Sequence, residues 1–255
     1  IISNKMALQE EFESQGNFLF RYRGNLPLII VFVGIFVFVF DKLYSADGSC
    51  VPYSVIEYCS LAVSLLGLGI RIYTVGHTPA NTSGRNTKQG QLADELNSSG
   101  IYSCVRHPLY LGNFFMWLGA ALLIANAWFV VVFILVYWVY YERIMYAEEQ
   151  FLRGKFGTVY TDWAAHTPAF IPSFKHFKRP EYDFSVKKVI KKEKNGLLAI
   201  FVLLFVFHNL GYSIENSQIK LDIDWIFICT VVSLVLYLIL KVLKHNTKLF
   251  DETGR

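Results

Sequence analysis

The chain has 255 residues, of which 54% are hydrophobic, 16% aromatic and only 17% charged, and its formal net charge is +4. Because so few charged side chains cannot cover the surface of a soluble domain of this size, the composition favours a membrane protein. The four cysteines, Cys50, Cys59, Cys104 and Cys229, form no CxxC pair, so we expect neither a metal site nor a disulfide scaffold.

Long uncharged stretches predict membrane-spanning helices. Residues 24–40 are uncharged and strongly apolar, which indicates a first span at about 24–44. A second span at about 54–76 carries Glu57 near one end and Arg71 near the other.

The stretch from Pro108 to Tyr141 holds 34 residues without a charge. A single helix of that length would extend about 51 Å, well beyond the ~30 Å hydrocarbon core. Asn126 is a polar break near its middle, so we expect a tight hairpin of two helices at 108–125 and 127–146. Further spans at 195–214 and 225–240 bring the expected number to about six, and the fold class to an all-α polytopic transmembrane bundle.

The basic residues alternate along the chain. They cluster before the first span, in the 77–107 linker, in the 143–194 segment and after the last span, whereas the three other loops hold only Lys42 and Lys220. This alternation predicts that both termini, the linker and the 147–194 segment lie on the cytoplasmic side. An active site built from these segments would open to the cytoplasm.

The spans divide into two groups. We expect a four-span core at 1–174, a basic connector at 175–194 and a two-span hairpin at 195–255. The connector sequence, KHFKRPEYDFSVKKVIKKEK, is expected to lie against anionic headgroups rather than to take part in catalysis.

An Arg-His-Pro sequence opens the third span. Proline is well placed at the first helical position, where its missing N–H costs nothing. Arg106 and His107 are therefore compatible with a capped helix start and a snorkelling arginine, or with a functional site. Tyr102 and Tyr110, which flank this sequence, add a structural explanation, because tyrosines are common in the aromatic belt at the membrane interface.

Two consecutive glutamates follow the fourth span. Glu149 lies four residues before Arg153, which predicts an ordinary surface pair. Glu148 has apolar neighbours three and four residues away on the helix, and a carboxylate on an apolar stripe at a membrane boundary indicates a functional site. Because the hairpin returns to its starting side, Glu148 should lie near Arg106 and His107.

Two motifs in combination resemble a known family. The stretch SSGIYSCVRHPLYLGNF, followed by AEEQFLRGKFGTVYTDWAAHTPAFIPSF, is similar to the isoprenylcysteine carboxyl methyltransferase and phospholipid methyltransferase superfamily of membrane enzymes, over about residues 87–174. The family uses S-adenosylmethionine without a Rossmann domain. The chain accordingly has no glycine fingerprint between a strand and a helix; its one G-x-G, at Gly67 and Gly69, is predicted to allow close helix packing.

The resemblance also implies site residues. It implies that the cofactor is contacted by Leu96, Asn97, Tyr102, His107, Pro108, Leu109, Tyr110, Glu148 and Glu149. In this assignment Glu148 binds the ammonium group of the cofactor. In the isoprenylcysteine enzymes an arginine near the start of the acidic segment orients the substrate carboxylate. Arg143 lies close to that position but not on it.

Methyl transfer to an anionic oxygen needs an orienting cation rather than a general base. Arg106 is the first candidate for this role, and Arg85 and Arg143 are others. We therefore expect O-methylation of a lipid phosphate or carboxylate. The stretch TSGRNTKQGQLADELNSSGIYS is similar to bacterial relatives, including those that methylate a lipid A phosphate, which implies a bacterial inner membrane and no nucleic-acid partner.

Other functions remain open at this point. Within the same class, the acceptor could be an isoprenylcysteine or the nitrogen of a phospholipid. A non-enzymatic small transporter is an alternative of another class, although transporters commonly place charges at mid-membrane rather than at its boundary. His208, inside a predicted span, is expected to be a hydrogen-bonded core histidine rather than a catalytic one.

Overall fold

A computed structural model describes residues 7–24, 26–44, 52–79, 82, 91–219, 221–252 and 254. These ranges form an all-α bundle, as predicted, and the β pairing found within them is an isolated bridge between Gly100 and Lys178. The α-helices are α1 (Leu8–Tyr22), α2 (Leu26–Tyr44), α3 (Tyr53–Gly76), α4 (Pro108–Leu122), α5 (Ala127–Phe156), α6 (Thr158–His166), α7 (Val186–Glu215) and α8 (Trp225–Asn246), with short 3-10 turns at Ile101–Ser103 and Phe174–His176.

Five of these helices, α2, α3, α5, α7 and α8, are long and apolar enough to cross a membrane. The sixth predicted span, α4, is apolar but has only 15 residues. A helix of that length extends about 22 Å, less than the ~30 Å hydrocarbon core. The expectation of six full-length spans is therefore corrected to five and a shorter apolar helix.

The predicted hairpin between α4 and α5 is confirmed. Ala125 adopts a left-handed conformation (φ 58°), and the side chain of Asn126 caps α5 by accepting a hydrogen bond from the backbone of Phe129 at 2.8 Å. The same amide donates to Asp41 of α2 at 2.6 Å. Capping is the physical reason for the break, because Asn satisfies a backbone N–H that the new helix leaves unpaired.

The amphipathic helix α1 was not among the predicted elements. It packs along the C-terminal half of α5. There Gly16 lies so close to the carbonyl oxygen of Arg143 that a Cβ atom added at Gly16 would overlap that oxygen. The hydroxyl of Tyr140 donates to the carbonyl of Leu19 at 3.1 Å. Phe12, Gly16 and Leu19 recur at helical spacing, which is the pattern that identifies such a helix.

The prediction of close helix packing is confirmed at Gly67 and is wrong at Gly69. A Cβ at Gly67 would overlap the carbonyl oxygen of Gly112 in α4, so these two glycines let α3 and α4 approach closely. Gly69 faces open space, because a Cβ atom added there would have no heavy atom within 4 Å among the described residues.

The last two helices pack against the earlier ones. One hydrophobic cluster joins residues of four helices and the α4–α5 turn: Phe38, Leu68, Leu123, Ile124, Ile200, Leu204, Phe207 and Ile226. Helix α7 begins at Val186, so the second half of the predicted connector is helical. At the far end of α7, His208 lies 2.7 Å from Glu57 and 3.3 Å from Asp222. It is hydrogen-bonded, as expected, but it is partly rather than fully buried.

Candidate active site

The start of α4 and the end of α5 meet at one end of the bundle. The backbone N–H of Arg106 donates to the carbonyl of Pro168 at 2.9 Å, and that of His107 donates to the carbonyl of Ala169 at 3.2 Å. Pro108 then begins α4 without an N–H to satisfy. The segment after α6 therefore holds the Arg-His-Pro turn in place.

His107 lies between the two glutamates of α5. Its Nε2 atom is 2.9 Å from Oε1 of Glu149, and its Nδ1 atom is 3.5 Å from Oε2 of Glu148. The imidazole is almost fully buried, with 6% of the residue exposed. The predicted meeting of Arg106, His107 and Glu148 is thus observed.

Glu149 faces inward, so its predicted surface pair with Arg153 is wrong. One carboxylate oxygen accepts a hydrogen bond from Nε of Arg106 at 2.9 Å and lies at the same distance from His107. Its partners Arg106 and His107, just before α4, are partly and almost fully buried. Contacts with them are more favourable than an exposed pair within the helix, which contributes only a few tenths of a kcal/mol.

Arg106 joins three segments. Besides Glu149, its Nη1 atom donates to the carbonyls of Ala164 and Thr167, both at 2.9 Å. Its Nη2 atom makes no hydrogen bond within the described residues, while the side chain lines the cavity beside it. Arg106 therefore both fastens α6 to the site and keeps one end of its guanidinium for a further acceptor.

Burial and charge change the acidity of groups outside the spans. Burial by itself would lower the pKa of His107, but the hydrogen bonds to Glu148 and Glu149 and their negative charges raise it above its usual value. Burial, reinforced by the charge of Glu148, raises the pKa of Tyr102, and burial with the charge of Glu149 raises the pKa of Tyr160. The phenols thus stay protonated and the imidazolium is favoured.

A cavity of about 380 Å³ opens beside these groups. This volume is within the range of small-molecule sites, roughly 300–1,000 Å³. Most of the residues predicted to bind a cofactor line it: Leu96, Asn97, Tyr102, His107, Pro108, Leu109, Tyr110 and Glu148, together with Arg106. Glu149 lies behind His107 and Arg106 and is not part of the lining.

Arg143, another of the predicted substrate-binding arginines, is not in this cavity lining. Arg143 lies over the ring of Phe12, with its guanidinium carbon 3.4 Å from the ring centre, and its Nη1 atom is 3.3 Å from Glu142. It therefore fastens α1 to α5, and it does not line the cavity. Arg85 lies outside the described residues.

Several cavity residues were not predicted. Arg71 of α3 donates from Nε and Nη2 to both carboxylate oxygens of Glu193, each at 2.8 Å, and from Nη1 to Asn113 at 2.6 Å. All three line the cavity, as do Arg23 and Lys192. The signal that could have marked Arg71 is its position as an ionisable residue inside a predicted span.

Aromatic side chains complete the wall on the α4–α5 side. The ring of Tyr110 stacks on His107 with centroids 5.6 Å apart and contacts Tyr141 at 5.0 Å. The hydroxyl of Tyr137 donates to the carbonyl of Tyr110 at 2.7 Å. These contacts fix the orientation of the wall next to Glu148.

Comparison with known proteins identifies the family. The phospholipid methyltransferase family model matches residues 58–159. The protein-S-isoprenylcysteine O-methyltransferase of Schizosaccharomyces pombe is 38% identical over 30% of this chain and 33% of its own length, and that of Saccharomyces cerevisiae is 30% identical over 40% of this chain and 42% of its own. The chain thus spans about a third to two fifths of these relatives.

A relative named as a metal resistance protein is matched over more of its length. The nickel-cobalt-cadmium resistance protein NccN of Alcaligenes xylosoxydans xylosoxydans is 30% identical over 64% of this chain and 70% of its own length. No solved structure gives a significant match. The segment that the family model matches contains the Arg-His-Pro turn, the glutamate pair and the helices that bring them together, and the chain belongs to the isoprenylcysteine carboxyl methyltransferase and phospholipid methyltransferase superfamily.

Proposed function

We propose that the chain is an S-adenosylmethionine-dependent methyltransferase that methylates an anionic oxygen on the head of a lipid or lipidated substrate. The observation that carries this proposal is the cavity itself: the predicted cofactor contacts converge on one space, which Glu148 and Arg106 line together. A phosphate of the lipid A type and an isoprenylcysteine carboxylate are the two acceptors that share this chemistry.

The cavity lining fits this cofactor. S-adenosylmethionine would supply a methyl group on a positively charged sulfur, together with an ammonium group, a carboxylate and an adenosine. Glu148 offers a carboxylate to the ammonium group, and the cavity also has cationic side chains in Arg71 and Lys192. Faces of Tyr102 and Tyr110 suit both a purine and a sulfonium cation.

The groups around Glu148 hold its carboxylate in place. His107 lies against both glutamates, and its raised pKa favours the charged imidazolium, which compensates the negative charges. A carboxylate held in this way costs no reorganisation when a cation binds.

Arg106 orients the acceptor in this account. Two of its nitrogen atoms are held by Glu149 and by carbonyls at the end of α6, so the guanidinium is fixed, and its Nη2 atom remains to donate to an anionic oxygen. An anionic acceptor needs no proton removed, which agrees with a site in which the phenols of Tyr102 and Tyr160 have raised pKa values. An amine acceptor would need a base and would be repelled by the arginines.

The site opens to the cytoplasm in this proposal, because the basic segments around it follow the positive-inside pattern and the methyl donor is a cytoplasmic metabolite. The proposed location is the inner membrane of a bacterium.

The test is methyl transfer from tritiated S-adenosylmethionine to defined acceptors in detergent or lipid discs. A farnesylated cysteine and a phosphorylated glycolipid are offered separately, with phosphatidylethanolamine as the amine acceptor. Label on either anionic acceptor, lost in Arg106→Gln, is the expected result. Label on phosphatidylethanolamine alone would contradict O-methylation. The absence of both label and cofactor binding would favour a non-enzymatic membrane protein.

A further inference from the structure

A second concave surface lies on the outside of the bundle, separated from the active-site cavity by the turn at Ile101–Ser103. This α3 groove has a volume of about 580 Å³ and is lined by Leu66, Gly69 and Ile70 of α3 on one side. Residues of the 101–104 and 174–177 segments line the other side. Tyr102, in the same turn, lines the active-site cavity instead.

Gly69 is one of the α3 residues that line the groove. It is exposed on the face of a membrane-spanning helix, and a Cβ atom there would meet no heavy atom of the described residues within 4 Å. A glycine within a helix costs about 1 kcal/mol relative to alanine, and here no described neighbouring helix requires it, in contrast to Gly67. Its effect is to leave a notch in the surface that faces the acyl chains.

The opposite wall is preformed. The backbone N–H of Lys178 donates to the hydroxyl of Ser103 at 2.9 Å, the N–H of Gly100 donates to the carbonyl of Lys178 at 3.0 Å, and that of Ser173 donates to the carbonyl of Cys104 at 2.9 Å. These bonds tie the 173–178 segment to the turn. Phe174 and Phe177 project from it into the groove lining and remain 73% and 50% exposed.

Cationic residues flank the two groove-lining phenylalanines, Phe174 and Phe177, along the chain. Segment 173–179 contains three of them, Lys175, Lys178 and Arg179, and no carboxylate. All three are exposed, and none forms an ion pair within the described part of the chain. Gly69 lies seven residues before the end of α3 at Gly76, which places it about 10 Å below that end. The groove thus passes from a basic margin into the depth of the acyl chains.

We propose that the α3 groove binds one anionic glycerophospholipid, with an acyl chain over Gly69 and the phosphate near Lys175 and Lys178. The chemistry of both ends supports this occupant. An apolar groove with aromatic walls takes the chain, and basic side chains at the membrane surface attract an anionic headgroup by electrostatics. The bound lipid would lie against the turn that carries Tyr102 into the active site, and it is distinct from the methyl acceptor.

Native mass spectrometry of the whole protein tests the proposal without any methyl transfer. Dioleoyl phosphatidylglycerol and dioleoyl phosphatidylcholine, which have the same chains, are added separately to delipidated protein. The expected result is retention of phosphatidylglycerol over phosphatidylcholine, reduced about fivefold for each cation removed in Lys175→Gln and Lys178→Gln. Equal retention of the two lipids would overturn the proposal.

Substitutions in the groove test the acyl-chain end. Gly69→Phe fills the notch and should abolish retention, whereas Leu65→Phe, at an exposed position of α3 outside the groove lining, should leave it unchanged. The double variant Phe174→Ala/Phe177→Ala removes one wall of the groove at exposed positions and should also reduce lipid retention. It provides the test if Gly69→Phe does not fold.

Unchanged retention in the folded groove variants would contradict the proposal. The proposal would also be contradicted if the groove bound the acyl chain of the methyl acceptor instead. In that case Gly69→Phe would abolish methylation of a long-chain acceptor, spare a short-chain one and leave phosphatidylglycerol retention intact.

Discussion

The Nε2 atom of His107 lies 2.9 Å from Oε1 of Glu149, and this contact joins the residue that precedes α4 to the last turns of α5. The same carboxylate oxygen accepts from Arg106 at 2.9 Å. One carboxylate therefore holds both basic residues of the Arg-His-Pro turn, and its neighbour Glu148 is left to face the cavity.

Glu149→Gln should destabilise the protein by about 2 kcal/mol, because it removes the counter-charge of the largely buried guanidinium of Arg106 and leaves the buried imidazole of His107 with Glu148 alone. Thermal unfolding in detergent, followed by circular dichroism, measures the change. The matched control is Glu215→Gln, which removes the 2.6 Å pair with Lys42 from a glutamate that is 60% exposed. An exposed pair contributes about 0–1 kcal/mol, so equal losses in the two variants would contradict this role of Glu149.

The stability of the fold should depend on pH through His107. Its pKa is raised in the folded protein, so the protonated imidazole stabilises the fold fully below its unfolded value of about 6.5. That contribution is lost as the pH rises through the higher folded value. Thermal midpoints measured across this window should fall with rising pH in the wild type. His107→Gln should flatten the profile, and a wild-type profile already flat would contradict the prediction.

The two glycines of the G-x-G sequence should respond oppositely to alanine. Gly67→Ala introduces a Cβ against the backbone of α4 and should cost about 1–3 kcal/mol. Gly69→Ala enters open space and removes a flexible residue from a helix, so it should be neutral or stabilise by up to about 1 kcal/mol. Unfolding midpoints of the two variants compare them directly, and equal destabilisation would refute the packing difference.

Arg71 and Glu193 should be energetically coupled. Arg71→Met alone leaves a buried carboxylate unpaired and should cost about 3–5 kcal/mol, whereas Arg71→Met with Glu193→Met should cost less than the sum of the single changes. A double-mutant cycle in unfolding free energy measures the coupling. Additive losses would show that the two 2.8 Å contacts contribute nothing as a pair.

The sequence predicted the fold where the signal was local. The uncharged runs, the polar break at Asn126 and the apolar stripe around Glu148 each depend on neighbours along one helix. The converging site could be inferred from them, because a hairpin returns its ends to one side. The predicted length of α4 was too great because the capping turn at Ala125 and Asn126 ends the helix early.

The remaining features depend on contacts between distant segments. Glu149 was assigned to Arg153 because that partner is close in sequence, whereas its true partners lie 42 and 43 residues away. The network of Arg71, Asn113 and Glu193 joins three helices that no local pattern places together. Arg143 packs against α1, whose amphipathic pattern indicates a helix but does not show that this helix lies against α5.

The central claim is that Glu148 lies in a pocket for S-adenosylmethionine. Calorimetric titration of the purified protein with S-adenosylmethionine tests it most directly, in the wild type and in two variants. Glu148→Gln should weaken binding by about 10- to 100-fold, as expected for the loss of a charged hydrogen bond. Glu142 is 48% exposed, pairs with Arg143 and does not line the cavity. The control variant Glu142→Gln should therefore bind S-adenosylmethionine as the wild type does. Absence of wild-type binding, or equal binding by all three proteins, would contradict the account.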